Sequence, residues 1–281
     1  MKSKDLYKRL KKDFVKKGMT DEWIEDMADI QEFISDEFKK EEMGLVCDFN
    51  EEVYKVYTAV FPSDKVMKEI LKKNEEKVML FVHHPMIWNL DKAPPIFYNM
   101  NKNLLKKFKE SKISIFNYHV PLDNFSEYST SNSLAKAFGL KVVKKFAPYH
   151  GGMAGVICNT KLDTIEDVKK RVEDVVGHKV KLYKNGDEEL RKVAVIAGGG
   201  FELEEMKNAY KEGCNLFITG VTQKSDFHKK NHEWAMKNGM NVIGATHYST
   251  EKFACINMCD YFKKLGIDSE FIEDSPMKED M

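Results

Sequence analysis

Between residues 53 and 244, short apolar runs alternate with segments of helical periodicity, and this alternation limits the fold more than any other feature. Val78-Met79-Leu80-Phe81-Val82 is a continuous apolar run, as expected for a strand covered on both faces. Residues 53–60 are rich in β-branched and aromatic side chains, and they read as a strand, as do 113–116, 193–196, 216–219 and 241–244. Ser63 can cap a helix running to about Lys73, and Thr164 one running to about Val176. Leu104, Leu105 and Phe108 mark another helix between strands. A βαβ alternation implies a parallel sheet with helices on its faces. With 281 residues the expectation is two α/β domains with mostly parallel sheets. The first spans 1–125 and is completed by about 240–281; the second spans 126–239.

The first fifty residues lack that alternation. Leu6, Leu10, Phe14 and Val15 recur at helical spacing on a lysine-rich segment that Gly18 ends. Thr20, followed by Asp21 and Glu22, reads as the cap of a second helix through about Phe38. Residues 273–281 read as a polar tail.

Charge and cysteine usage narrow the function classes. Forty-five basic residues balance 45 acidic ones, and only Arg9, Arg171 and Arg191 are arginines. That balance disfavours a general nucleic-acid binder, which draws on planar arginine contacts and a basic face. No apolar stretch approaches the ~20 residues that cross a bilayer. The five cysteines, Cys47, Cys158, Cys214, Cys255 and Cys259, include no C-x-x-C pair. They read as small buried residues of a reduced, cytoplasmic protein.

In open parallel sheets, ligands sit at the carboxyl ends of strands. Four predicted strand ends carry unusual residues. The first ends in His83-His84-Pro85. Neighbouring side chains on a strand point to opposite faces, so two adjacent histidines share a site only where the chain leaves strand geometry, as Pro85 favours. They are metal ligands or two hydrogen-bonded loop histidines. The second carries His119 and Asp123, the third His247 and Glu251, each pair four residues apart. The fourth carries Gly198-Gly199-Gly200, a tight turn or an active-site wall; it is neither G-x-G-x-x-G nor a P-loop. Together, the first three ends offer imidazoles and two carboxylates, a donor set suited to two divalent cations such as zinc, iron, manganese or cobalt.

In this order, His83-His84-Pro85, His119-x-x-Leu122-Asp123, Gly198-Gly199-Gly200, Ile218-Thr219-Gly220 and His247-Tyr248-x-x-Glu251 resemble the Nif-three-like dinuclear metal-centre family, whose members are often labelled type 2 GTP cyclohydrolase I homologues. The resemblance implies two α/β domains, a dimetal site in the cleft between them, and a toroidal homohexamer. It implies that His83, His84, Asp123, His247 and Glu251 are the metal ligands, with Asp123 bridging. His119 is assigned to substrate contact or proton transfer, and Gly198, Gly199, Gly200 and Tyr248 to substrate binding. The chain departs from the family pattern at Val120-Pro121, where Thr-Asn is usual, and at Phe61-Pro62-Ser63, where an acidic residue is usual. Residues 158–193 are too few for the third domain that some relatives insert.

The expected function is hydrolysis of a nucleotide or related small molecule by metal-activated water, with His119 moving protons. The competing readings are a non-catalytic, metal-dependent scaffold or regulatory binding protein, and a nucleotide-binding module built on the glycine turn.

Overall fold

The computed structural model describes residues 1–90 and 96–281, and the chain divides into two compact units. The first comprises residues 1–122 and 255–274, the second 123–254 and 275–281. The chain returns to the first unit at 255 rather than near 240. The reason is that strand Asn241–Gly244 pairs in parallel with Leu216–Thr219, inside the second unit's sheet.

The first unit is built on a five-stranded sheet ordered Gly44–Cys47, Ser114–Asn117, Val78–Val82, Lys55–Ala59, Asp268–Phe271. The last four strands are mutually parallel, and Gly44–Cys47 runs antiparallel at one edge. The apolar run Val78–Val82 is central and buried at every position. Helices Asp64–Lys73 and Lys102–Glu110 bury Val66, Met67, Ile70, Leu104, Leu105 and Phe108 against Tyr57, Leu80, Val82 and Ile115. Each such side chain contributes about 1.5–3 kcal/mol by leaving water. Ser63 caps the first of these helices by accepting the N–H of Val66 at 3.2 Å.

Helix Ser3–Phe14 forms on the expected spacing and buries Leu6, Leu10 and Phe14. The second N-terminal helix does not form. Residues 20–37 are irregular chain and turns with one short 3₁₀ segment at Ala28–Ile30, and only the four-residue helix Phe38–Glu41 follows. The N–H of Ile24, which would donate to Thr20 in a helix capped there, is taken by the Glu42 carboxylate together with that of Trp23. Trp23, Met27, Ile30, Phe33 and Ile34 all join the core.

The second unit carries a six-stranded mixed sheet ordered Lys141–Tyr149, Gly152–Asn159, Val193–Val195, Leu216–Thr219, Asn241–Gly244, Lys181–Tyr183. Its three central members after Gly152–Asn159 are parallel, and the outer pairings are antiparallel. Strand alternation divides the core between the two faces. Val193, Val195, Leu216, Ile218 and Ile243 pack on one side, Ala194, Ile196, Phe217 and Val242 on the other. Thr164 caps helix Ile165–Val176 through the N–H of Asp167 at 3.1 Å.

The expected polar tail is part of this unit. Asp280 is fully buried, and its backbone oxygen accepts the N–H groups of Thr222 at 2.7 Å and Gln223 at 2.9 Å. Helix His247–Lys264 contributes its first eight residues to the second unit and the rest to the first. All five cysteines are buried free thiols. Among the described residues, no helix is long and apolar enough to cross a membrane.

Candidate metal centre

In the first unit, the carboxyl ends of two parallel neighbours, Val78–Val82 and Ser114–Asn117, deliver three histidines. Strand geometry stops at Val82, and this break lets the adjacent rings of His83 and His84 meet with centroids 4.4 Å apart. The His119 ring lies 5.2 Å from His83 and 4.8 Å from His84. Each residue offers a ring nitrogen such that all three lie within 4.8 Å of one another, a group that could hold a metal ion. His83 is fully buried and His84 nearly so.

The second-layer contacts suit that role. Nδ1 of His83 stands 3.0 Å from the carbonyl oxygen of Tyr118. A carbonyl only accepts, so Nδ1 carries the proton and the neutral ring keeps its lone pair at Nε2. Metal-binding histidines are commonly oriented in this way. The side-chain amide of Asn117 donates to the backbone oxygen of His83 and fixes the turn. Phe61 stacks on His84 at 4.9 Å, so the residue that departs from the family pattern becomes a wall of the cluster.

In the second unit, His247 and Glu251 face each other one turn apart at the start of helix His247–Lys264. Nε2 of His247 stands 3.0 Å from Oε1 of Glu251, and both residues are buried. At this distance the imidazole and the carboxylate hydrogen-bond directly, and the same two atoms could serve a cation in its place. A cation there would also offset the charge of a buried carboxylate. The Asp280 carboxylate accepts the N–H of His247 at 2.8 Å and so caps the helix. Thr246, just before, adopts a left-handed backbone with φ of 67°. For a β-branched residue this costs about 1–3 kcal/mol, a strain typical of functional turns.

The glycine turn forms a wall of this pair. Gly198 has φ of 71°, and a Cβ there would collide with Oε1 of Glu251 and stand 3.1 Å from Nε2 of His247. Gly220 also permits a close approach: its Cβ would meet the backbone oxygens of Gly198 at 2.6 Å and Thr246 at 2.8 Å. Three loops at the carboxyl ends of adjacent parallel strands therefore pack backbone to backbone. Gly199 faces open space, and Tyr248 is buried in the first turn of the helix.

Asp123 ends the short helix Val120–Asp123, and its Oδ1 accepts the hydroxyl of Thr130 at 2.7 Å. Phe61 was marked only as a departure from the family pattern, and the sequence reading gave no site role to Asp21, Trp23, Thr130 or Asp280, which touch the candidate residues. Only a polar or aromatic residue type marks them in the sequence.

The family model described as Duf34/NIF3 (NGG1p interacting factor 3) matches residues 20–276. The chain belongs to the Duf34/NIF3 family. Among its relatives, the GTP cyclohydrolase 1 type 2 homolog of Archaeoglobus fulgidus is 30% identical over 232 residues, covering 82% of this chain and 88% of the relative. The protein of the same description from Borreliella burgdorferi is 30% identical over 222 residues, covering 78% and 82%. Two solved structures share the fold. Protein ybgI, described as of unknown function, has a TM-score of 0.75 at 21% identity, covering 99% of this chain and 100% of that one. Reduced HcgD from Methanocaldococcus jannaschii has a TM-score of 0.67 at 21% identity, covering 98% of each. Asp280 lies beyond the segment that the Duf34/NIF3 model matches, and Asp21 at its edge.

Proposed function

We propose that this Duf34/NIF3 protein binds two divalent cations and hydrolyses a nucleotide or related small molecule. His83, His84, Asp123, His247 and Glu251 would hold the cations. One observation carries the reading: the buried imidazoles of His83 and His84 and the partly buried one of His119 gather their nitrogens into one group, with Nδ1 of His83 already committed to a carbonyl. Zinc, iron, manganese or cobalt suits such imidazole and carboxylate donors. Bound, two such ions lower the pKa of a water toward ~7 and clamp a leaving oxygen.

The chain's own residues do the rest. His119 moves the proton between water and leaving group, work a neutral imidazole does near pH 7. The Thr130 hydroxyl orients the Asp123 carboxylate, and the Asp280 cap orients the first turn bearing His247. Gly198, Gly199, Gly200 and Tyr248 would line the substrate. A homohexamer in a reducing cytoplasm belongs to the same proposal; five buried free thiols agree with the compartment.

The test is a metal-replete hydrolysis screen over nucleotides, GTP among them, with phosphoesters and cyclic amides. Turnover by the wild type, abolished in Asp123→Asn, is the expected result. Stoichiometric metal with no turnover across the screen would replace the hydrolase with a metal-dependent scaffold.

A further inference from the structure

A buried carboxylate outside every recognised motif faces the first unit's histidine cluster. Asp21 precedes His119 by 98 residues, and its two oxygens stand 3.1 and 3.2 Å from Nδ1 of that ring. The same carboxylate accepts the N–H of Val120 at 3.3 Å. Asp21 is 9% exposed, and the side chain of His119 is 13% exposed, so water competes weakly for the contact. The segment that carries Asp21 is pinned. Trp23 and Ile24 donate their N–H groups to Glu42, the latter at 2.8 Å. The Trp23 indole meets the rings of His84 and His119 edge-on, at centroid distances of 6.0 and 5.2 Å.

Both Asp21 oxygens face donors, Oδ2 the N–H of Val120 and both the His119 ring, which is the contact set of a carboxylate, and a carboxylate only accepts hydrogen bonds. Nδ1 of His119 must carry the proton, and in the neutral ring the lone pair is then at Nε2.

We propose that Asp21 is the positioning residue of His119, fixing the Nδ1–H tautomer so that Nε2 is the ring's basic nitrogen. The use of that nitrogen for proton transfer rests on the hydrolase reading; the tautomer does not. The device comes from the irregular segment that replaces the expected second helix. Had residues 20–38 been helical, Asp21 would sit in a first turn and its carboxylate would serve the helix N–H groups.

Nitrogen-15 NMR of the full chain, labelled at histidine and free of metal, tests this. His119→Gln identifies the ring's signals by their loss. The wild type is expected to show a protonated Nδ1 and an unprotonated Nε2. Asp21→Asn, whose amide can donate to Nδ1, is expected to move the majority of the ring to the Nε2–H tautomer, whereas Asp21→Glu keeps a carboxylate and retains Nδ1–H. A wild-type ring protonated mainly at Nε2 would overturn the proposal. So would an unchanged tautomer in folded Asp21→Asn, because a merely structural Asp21 would alter stability and leave the tautomer alone. If Asp21→Asn does not fold, the wild type and Asp21→Glu still decide. With manganese-loaded protein and a chromogenic phosphodiester, kcat of Asp21→Asn should fall ~10²-fold with KM little changed. A wild type that shows Nδ1–H but hydrolyses nothing would sink the hydrolase reading and leave the positioning role standing.

Discussion

Substituting Gly198 tests whether the glycine turn is built around the His247–Glu251 pair. Its φ of 71° places any L-residue in the left-handed region, at a cost of about 1–2 kcal/mol. The added methyl would also collide with Oε1 of Glu251 and stand 3.1 Å from Nε2 of His247. Forcing a methyl into such a packed site costs about 1–3 kcal/mol more. Gly198→Ala should therefore destabilise the chain by about 2–5 kcal/mol, read from urea unfolding at constant slope. Gly199→Ala is the control: no atom lies within 4 Å of its Cβ, and a change within about 0.5 kcal/mol is expected. A double-mutant cycle separates the two terms. In a Glu251→Ala background the collision is gone, and adding Gly198→Ala should cost only the backbone share, about 1–2 kcal/mol. Strictly additive costs, or a Gly198→Ala protein as stable as the wild type, would refute the claim that this turn is shaped by the pair.

Two further outcomes follow from the second unit. Burial holds the imidazoles of His228 and His232 below their ordinary pKa, so both resist protonation in the folded chain. The unfolded imidazoles protonate near ~6.5, so the contribution is fully present above that pH and is lost as pH falls toward the depressed folded values. Thermal unfolding from about pH 7.5 to 5.5 should show a declining Tm, and His228→Gln should flatten the slope; a slope unchanged by that substitution would contradict the assignment. Asp280→Ala removes the carboxylate that receives the His247 N–H and should cost about 1–3 kcal/mol in the same assay. An unchanged Tm would mean that the tail does not cap the helix.

The sequence was readable where one residue stretch decides its own fate. Val78–Val82, Leu216–Thr219 and Asn241–Gly244 are strands at their expected bounds, because a continuous apolar run has no solvated face to offer. The caps at Ser63 and Thr164 followed from side-chain chemistry alone. The His83-His84-Pro85 signal was equally local, since a histidine pair can converge only by breaking the strand. Partner-dependent features were not readable. Residues 20–38 have helix-compatible spacing, but the distant carboxylate of Glu42 takes the N–H groups of Trp23 and Ile24. Asp21 is an ordinary first-turn acid until the fold sets it against His119. The antiparallel outer strands of the second sheet, and the docking of Asp280 at the start of a helix 33 residues earlier, are likewise products of pairing that no local pattern encodes.

The central claim is the dinuclear centre, and elemental analysis of the full chain purified without added metal tests it most directly. The account predicts two equivalents of divalent transition metal per chain, falling in His83→Ala and in Asp123→Asn while both variants stay folded. Less than one equivalent in the wild type, unchanged by either substitution and by incubation with zinc or manganese, would contradict it.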